Sequence, residues 1–278
     1  EIYSYDKINY YFARHEQGLS HAADGYARVS GKVGVCLATS GPGATNMVTG
    51  IMTAHMDSVP MIAITGQVRS NLLGRDAFQE TDTVGITMPI TKCNYLIQNI
   101  KEIPRVVKEA YYIATTGRPG PVLIDIPNDI QVHQIPYEEF ERLFDEKIEL
   151  EGYSPTYEGH QGQIKRAIKL IKEAKKPLII AGAGVLKSKA SKELFDYAEK
   201  TQTPVATTLL GLGAFPESHE LSLGMLGMHG TVPANYATDE ADLVIAAGIR
   251  FDDRIAGNPN KFIENAKVIH IDIDPAEI

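Results

Sequence analysis

Short, largely apolar runs recur along the chain, at 33–38, 60–65, 122–126, 178–181, 242–247 and 268–273. They are rich in Val and Ile, and Gly or Pro bounds most of them. A strand with one wet face alternates apolar and polar residues. A strand buried on both faces of a parallel sheet does not, and runs of this length predict such strands. Between the runs the period lengthens. Residues 17–29 place Ala22, Ala23, Tyr26 and Ala27 at helical spacing, and Pro104 stands where a first-turn proline opens a helix over 105–115. Residues 163–174 set Ile164, Ala167, Ile168 and Ile171 along one face with basic residues opposite. Weaker helical stretches lie at 188–201 and 233–238. This alternation predicts an α/β fold of two doubly wound parallel-sheet domains, with functional loops at the strand ends.

The stretch 128–161 breaks the pattern, being rich in Glu, Tyr, Pro and Gly without sustained periodicity. It reads as a linker between domains at 1–127 and 162–278. A length of 278 residues holds two domains of ordinary size. Composition changes this picture little, since 44% apolar and 22% charged residues support packed cores rather than disorder. A net charge of -8 with no basic block argues against a nucleic-acid partner. No apolar run reaches membrane-spanning length. The two cysteines, Cys36 in an apolar run and Cys93, make no metal framework and fit a reducing compartment, expected to be the cytoplasm of a bacterium or archaeon. The opening Glu1-Ile2-Tyr3 is neither a signal peptide nor an initiator methionine, so the numbering is expected to begin inside a longer protein.

Five segments could carry chemistry. Arg14-His15-Glu16-Gln17-Gly18 puts a carboxylate between an expected strand end and a helix start. Glu16 there is either a functional acid at the sheet crevice or a first-turn residue complementing the helix dipole. Thr39-Ser40-Gly41-Pro42-Gly43-Ala44-Thr45-Asn46 is a strand-to-helix turn whose glycines permit close backbone approach to an anion or ring edge, or simply make the turn. It is no Walker loop, because no Gly-Lys-Ser/Thr follows. Gly74-Arg75-Asp76-Ala77-Phe78-Gln79-Glu80 sets polar groups beside an aromatic, as a ligand-touching loop or a solvated one does. The strand at 178–181 ends in Gly182-Ala183-Gly184, but Lys187 replaces the third glycine of a dinucleotide fingerprint. The next acidic strand end, Asp272, lies 90 residues beyond Gly182, against roughly 20 in an NAD site, which disfavours an ordinary dehydrogenase. In Gly248-Ile249-Arg250-Phe251-Asp252-Asp253-Arg254 the two arginines could hold a diphosphate, or form a surface network with the aspartates. Met225–Gly230 adds an apolar loop suited to bordering a flat ring. No metal-ligand spacing and no Gly-x-Ser-x-Gly elbow occurs, so metalloenzyme and serine-hydrolase chemistry have no support.

In their order and number these segments resemble the acetolactate synthase (acetohydroxyacid synthase) family of thiamine-diphosphate enzymes. The resemblance rests on Arg14–Gly18, Ala23-Asp24-Gly25-Tyr26-Ala27-Arg28, Ala38–Asn46, Ile64-Thr65-Gly66-Gln67, Gly74–Glu80, Thr116-Gly117-Arg118-Pro119-Gly120-Pro121-Val122, Met225–Gly230 and Gly248–Arg254. It implies a pyrimidine-binding domain, N-terminally incomplete, followed by a Rossmann-like central domain that carries FAD. Glu16 matches the glutamate that bonds N1′ of the aminopyrimidine and favours the tautomer that deprotonates the thiazolium. The cofactor is then the electron sink, while the protein orients and places protons. Gln79 and Phe78 match residues lining the substrate approach. Gly41, Ala44 and Asn46 match the cofactor-facing turn. For FAD the resemblance carries over Arg118, Gly182, Ala183, Gly184, Thr208, Leu209, Met228, His229, Gly248, Arg250, Arg254 and Asp272, with the flavin in a structural role.

The implied reaction decarboxylates pyruvate and condenses the product with pyruvate or 2-ketobutyrate, in branched-chain amino-acid biosynthesis. A homodimer or tetramer and a regulatory small subunit are implied partners. The family's Gly-Asp-Gly segment, which holds Mg²⁺ and the pyrophosphate in a third domain, is not in this sequence. The chain alone is therefore expected to be inactive, with no metal ligands of its own. The alternatives are a pyruvate oxidase-like thiamine and FAD enzyme, separated only by loop details such as 76–80, and a non-catalytic FAD-binding module. Glyoxylate carboligase lacks the activating glutamate, so Glu16 counts against it.

Overall fold

The computed structural model describes residues 5–257 and 262–278. It divides into two compact units, Glu1–Pro155 and Thr156–Ile278. The first runs α1 (Glu16–Ser30), β1 (Gly34–Ala38), α2 (Pro42–Asn46), α3 (Val48–Met56), β2 (Met61–Gln67), α4 (Thr83–Thr87), β3 (Cys93–Leu96), α5 (Ile103–Thr115), β4 (Pro121–Pro127), α6 (Asn128–Val132) and α7 (Tyr137–Asp145). Its four strands are all parallel, in the order β1-β2-β4-β3. The central β4 is buried along nearly its whole length, which is why its sequence is apolar but for Asp125. One face packs on α1 and α3 through Ala23, Ala27, Met47, Ile51 and Ala54. The other packs on α5 through Val106, Ala110, Ile113 and Ala114. Helices α1 and α3 cross closely at Gly50, where an added Cβ would lie 2.2 Å from Ser20 Oγ.

The second unit runs α8 (Gln161–Glu173), β5 (Pro177–Ala181), α9 (Ala183–Lys187), α10 (Ser191–Thr201), β6 (Val205–Thr207), β7 (Ser222–Met225), α11 (Val232–Glu240), β8 (Leu243–Ala247), α12 (Asp253–Ala256) and β9 (Lys267–Ile271). Its five strands are also parallel, in the order β7-β6-β5-β8-β9. The chain winds outward from β5 through β6 to β7, then returns to β8 on the other side. The C-terminal ends of β5 and β8 thus flank a topological switch point. Both sheets carry helices on both faces, as the doubly wound reading expects, but β1 and β9 at the edges are not buried on both: Val35 and Leu37 of β1 are more than half exposed.

Three expectations change. No strand precedes Arg14 among the described residues; the chain there is irregular, and His15 caps α1, its Nδ1 accepting from Gln17 N at 3.1 Å. The expected helix at 188–201 begins only at Ser191, as α10, because the chain turns at Lys189, at positive φ, after α9 has ended at Lys187. The stretch read as a linker holds α6 and α7. A stripe of stacked aromatics, Tyr137, Phe140 and Phe144, is hidden among its glutamates. Lys101 pairs with Glu139 at 2.8 Å across to α7. Farther on, Lys92 Nζ donates to Tyr153 Oη at 3.0 Å and to Thr116 O at 2.8 Å, which fastens Tyr153 to the end of α5.

Leu123 is fully buried at the centre of β4, whereas Val29 on α1 is 91% exposed. Leu123→Ala is expected to destabilise the first unit by about 2–5 kcal/mol, and Val29→Ala to stay within about 0.5 kcal/mol. Chemical denaturation of both variants checks the contrast.

Candidate functional site

Parallel pairing sends the loops that leave β1, β2 and β4 to one edge of the first sheet. Glu16 is the first residue of α1, and the turn after β1 leads into α2. Asn46 Nδ2, at the end of α2, donates to Glu16 Oε2 at 3.1 Å across 30 positions of sequence. That bond is the main reason the Glu16 carboxyl lies below its ordinary range, with its own backbone N–H next. Gly43 stands between them: a Cβ there would lie 3.6 Å from Glu16 Oε1 and 2.8 Å from Thr39 Cγ2. Ala44 is buried behind the turn. Glu16 therefore occupies both positions that its sequence left open. It lies in a first helical turn, and it is built into a side-chain site.

The 74–80 loop closes on the same turn. Gly41 has φ +60, and a Cβ on it would lie 2.8 Å from Gln79 O and 2.9 Å from Gln79 Cβ. Only a glycine lets the two backbones meet here. Gln79 itself is held at φ +59, and the Phe78 ring is 89% exposed. Glu16, Gly41, Ala44, Asn46, Gln79 and Phe78 are thus drawn to one edge. Beside them a cavity of about 730 Å³ is lined by Thr39, Ser40, Gln67, Arg69, Asn128 and Gln131, among others. Arg118 is not part of this group. It precedes β4 at the opposite edge of the sheet, its Nε donating to Ser58 Oγ at 2.8 Å.

One residue with a bearing on this edge was not singled out from the sequence. Asp125 is 1% exposed in the middle of β4. Thr65 Oγ1 donates to its Oδ1 at 2.6 Å and Gln67 Nε2 to its Oδ2 at 2.9 Å. Gln67 Nε2 also donates to Thr81 O at 2.7 Å, at the far end of the 74–80 loop. The buried acid thus orients the glutamine that anchors this loop. An aspartate inside an apolar run was the available clue.

In the second unit the carried-over residues fall at the C-terminal ends of five parallel strands. Gly182, Ala183 and Gly184 follow β5, Thr208 and Leu209 follow β6, and Met228 and His229 follow β7. Gly248, Arg250 and Arg254 follow β8, and Asp272 follows β9. At strand spacings of about 4.8 Å this edge runs on the order of 19 Å, long enough for an extended ligand. Its centre is the closest backbone approach. A Cβ on Gly182 would lie 2.2 Å from Gly248 O, and one on Gly184 would lie 2.5 Å from Gly248 Cα. Gly184 N donates to Gly248 O at 3.0 Å. Thr208 Oγ1 accepts from Gly211 N at 3.1 Å and holds the next turn. The neighbouring Thr207 Oγ1 is buried without a hydrogen-bond partner among the described residues. Leu209 and Met228 are 67% and 66% exposed, an apolar border suited to a flat ring. Arg254 is aligned only loosely with Asp253, at 3.9 Å with both side chains exposed, so a surface network does not tie it down. Asp272 Oδ1 caps Asp274 N at 2.9 Å.

These two edges define an α/β chain with an acid-bearing site in its first unit and a glycine-lined strand-end edge in its second. Residues 1–86 match the family described as thiamine pyrophosphate enzyme, N-terminal TPP binding domain, and residues 164–278 match its central domain. The chain belongs to the thiamine pyrophosphate enzyme family. Within it, the whole chain is similar to the acetolactate synthase large subunit of Corynebacterium glutamicum, 56% identical over 277 residues, 100% of this chain and 44% of the relative. It is 55% identical over 277 residues to a probable acetolactate synthase large subunit of Methanocaldococcus jannaschii, again 100% of this chain and 46% of the relative. The large subunit of Haemophilus influenzae is 50% identical over 279 residues, 100% of this chain and 48% of that protein. The chain spans less than half the length of these relatives. No helix of the described residues is long and apolar enough to cross a membrane.

Burial pushes the Asp125 carboxyl up to about 6 from 3.8, against the two bonds that favour its ionised form. A raised folded pKa means that the folded state binds the proton more tightly. Stability from this group is therefore full below about pH 4 and lost as pH rises towards 6. Asp125→Asn is expected to remove a slope worth about 2–3 kcal/mol over that window. Denaturant midpoints of the two proteins at pH 4, 5, 6 and 7 test this.

Proposed function

We propose that the protein containing this chain is an acetolactate synthase catalytic subunit, decarboxylating pyruvate and joining the two-carbon unit to a second pyruvate or to 2-ketobutyrate. The observation that carries this reading is the Glu16 carboxylate, held by Asn46 against the Gly41–Gly43 turn. Thiamine diphosphate, when bound, supplies the carbon nucleophile and electron sink. Glu16 is kept ionised below its ordinary range, so at neutral pH it offers an acceptor oxygen to N1′ of an aminopyrimidine. Asn46 fixes the direction of that oxygen, and Gly43 leaves room beside it. Gln79, Phe78 and the loop that carries them border the approach of the 2-ketoacid. By the resemblance alone, the Mg²⁺ ligands are proposed to lie outside this chain.

The strand-end edge of the second unit supports FAD. The Gly182, Gly184 and Gly248 backbones admit no side chain between them, the buried Thr207 hydroxyl has no hydrogen-bond partner among the described residues, and Arg250 and Arg254 bring positive charge. Arg118 joins this set by resemblance. The flavin is proposed as a structural group. The relatives' designation as large subunits supports a smaller regulatory partner, and homo-oligomers are proposed for the catalytic chain.

Glu16→Gln is expected to lower acetolactate formation by about 10²–10⁴-fold, the usual scale of a proton-handling side chain. Acetolactate from pyruvate with thiamine diphosphate, Mg²⁺ and FAD is the measurement, made on the whole protein. Acetate or acetyl phosphate as the product would replace the synthase reading with an oxidase. Separately, Arg254→Ala is expected to keep its fold, since the side chain is 74% exposed, and to retain less flavin after dialysis. Flavin absorbance per protein reads this directly.

A further inference from the structure

The Gly74–Glu80 loop has no apolar anchor. Arg75, Asp76, Phe78 and Gln79 are exposed and only Ala77 is half-buried among its middle residues. Three of its seven residues are at positive φ: Gly74 at 75°, Asp76 at 55° and Gln79 at 59°. Left to itself such a segment would relax to other conformations. From within the loop, one side chain holds it. The Glu80 carboxylate accepts the backbone N–H groups of Gly74, of Ala77 at 2.8 Å and of Arg75 at 3.3 Å. Glu80 N in turn donates to Ala77 O at 2.9 Å. The loop is folded around the carboxylate as around a bound anion. These N–H groups, Ala77 first and Gly74 next, keep the Glu80 carboxyl below its ordinary range.

We propose that Glu80 is a positioning residue whose carboxylate gathers three backbone N–H groups and so sets Phe78 and Gln79 beside the Gly41 turn and the Glu16 site. The inference rests on the function proposed above. Glu80 touches no substrate in this account. Its effect is delivered through Gln79, whose backbone sits against Gly41, and through Phe78, whose ring projects from the loop. The geometry of this loop, rather than the mere presence of its side chains, then decides which second 2-ketoacid is accepted.

The test uses the whole protein with thiamine diphosphate, Mg²⁺ and FAD, and compares Glu80→Ala, Glu80→Gln and the parent. Pyruvate and 2-ketobutyrate are supplied together, and the ratio of acetohydroxybutyrate to acetolactate is measured. A partition ratio does not depend on how much enzyme is correctly folded. In Glu80→Ala it is expected to change by about tenfold from the parent's value, the scale at which a pocket reads one methylene. Glu80→Gln, which keeps one acceptor oxygen, is expected to fall between. Tryptic cleavage after Arg75 is expected to quicken in the same order, with flavin content and Tm unchanged. Faster cleavage with an unchanged product ratio would overturn the positioning role, as would unchanged cleavage. A parent that makes no acetolactate at all would instead remove the proposed function beneath it, so the two failures are distinct.

Discussion

Parallel backbone pairing is the constraint on which both candidate sites depend. Every strand in each sheet runs the same way, so every outgoing loop leaves from one edge. In the first sheet Ala38 pairs with Thr65 and Gln67 with Pro127, which places the turns after β1, β2 and β4 side by side. In the second, Ala181 pairs with both Thr207 and Ala247, and Ala247 with Ile271. Residues as far apart in sequence as Gly182 and Asp272 are thereby brought to one edge. Where two such ends meet most closely, at Gly182 and Gly248, no side chain fits, and the backbone itself forms the surface offered to a ligand.

The same constraint explains what could be read from the sequence. Central strands are buried on both faces, so β2, β4, β5 and β8 announced themselves as apolar runs. Of the four edge strands, β3 and β7, Cys-Asn-Tyr-Leu and Ser-Leu-Gly-Met, have no fully buried residue and carry no such run, whereas β1 and β9 were legible as runs although they alternate or lack buried residues. Strand β6 is buried but only three residues long. Residues 128–155 were opaque because their glutamates mask an aromatic stripe that is periodic once the helix is known. Motif order supplied most of the residues of both edges, since strand-end loops carry them. It placed Arg118 by resemblance alone, and the fold sets that residue at the other edge of its sheet. Glu80 lay within a quoted motif yet had no role assigned to it. Its partners are backbone N–H groups, which no residue pattern displays.

Three carboxylates in the first unit show how environment separates their duties. Glu16 is held ionised chiefly by a side-chain amide, and Glu80 by backbone N–H groups. Asp125 is pushed the other way by burial. At neutral pH the first two are fixed acceptors, one facing a proposed cofactor and one facing its own loop. Asp125 alone sits where small changes of surroundings alter its proton occupancy.

The link between Asp125 and the loop is narrow in its chemistry. Gln67 Nε2 has two protons, and both are committed, one to Asp125 Oδ2 and one to Thr81 O. Its Oε1 accepts from Val68 N at 2.9 Å, so the amide is satisfied in this orientation. Turning it over would set an oxygen against a carboxylate and a carbonyl, and a nitrogen against an N–H, inside a site where Gln67 is 5% exposed. Unmade bonds of that kind cost more in a buried site than in water. The amide therefore has one acceptable pose, and through it the rigid centre of β4 fixes Thr81. With Glu80 closing the loop from the other side, Gln79 is pinned between two polar anchors. The segment that packs on the Gly41 turn is ordered without any apolar packing of its own.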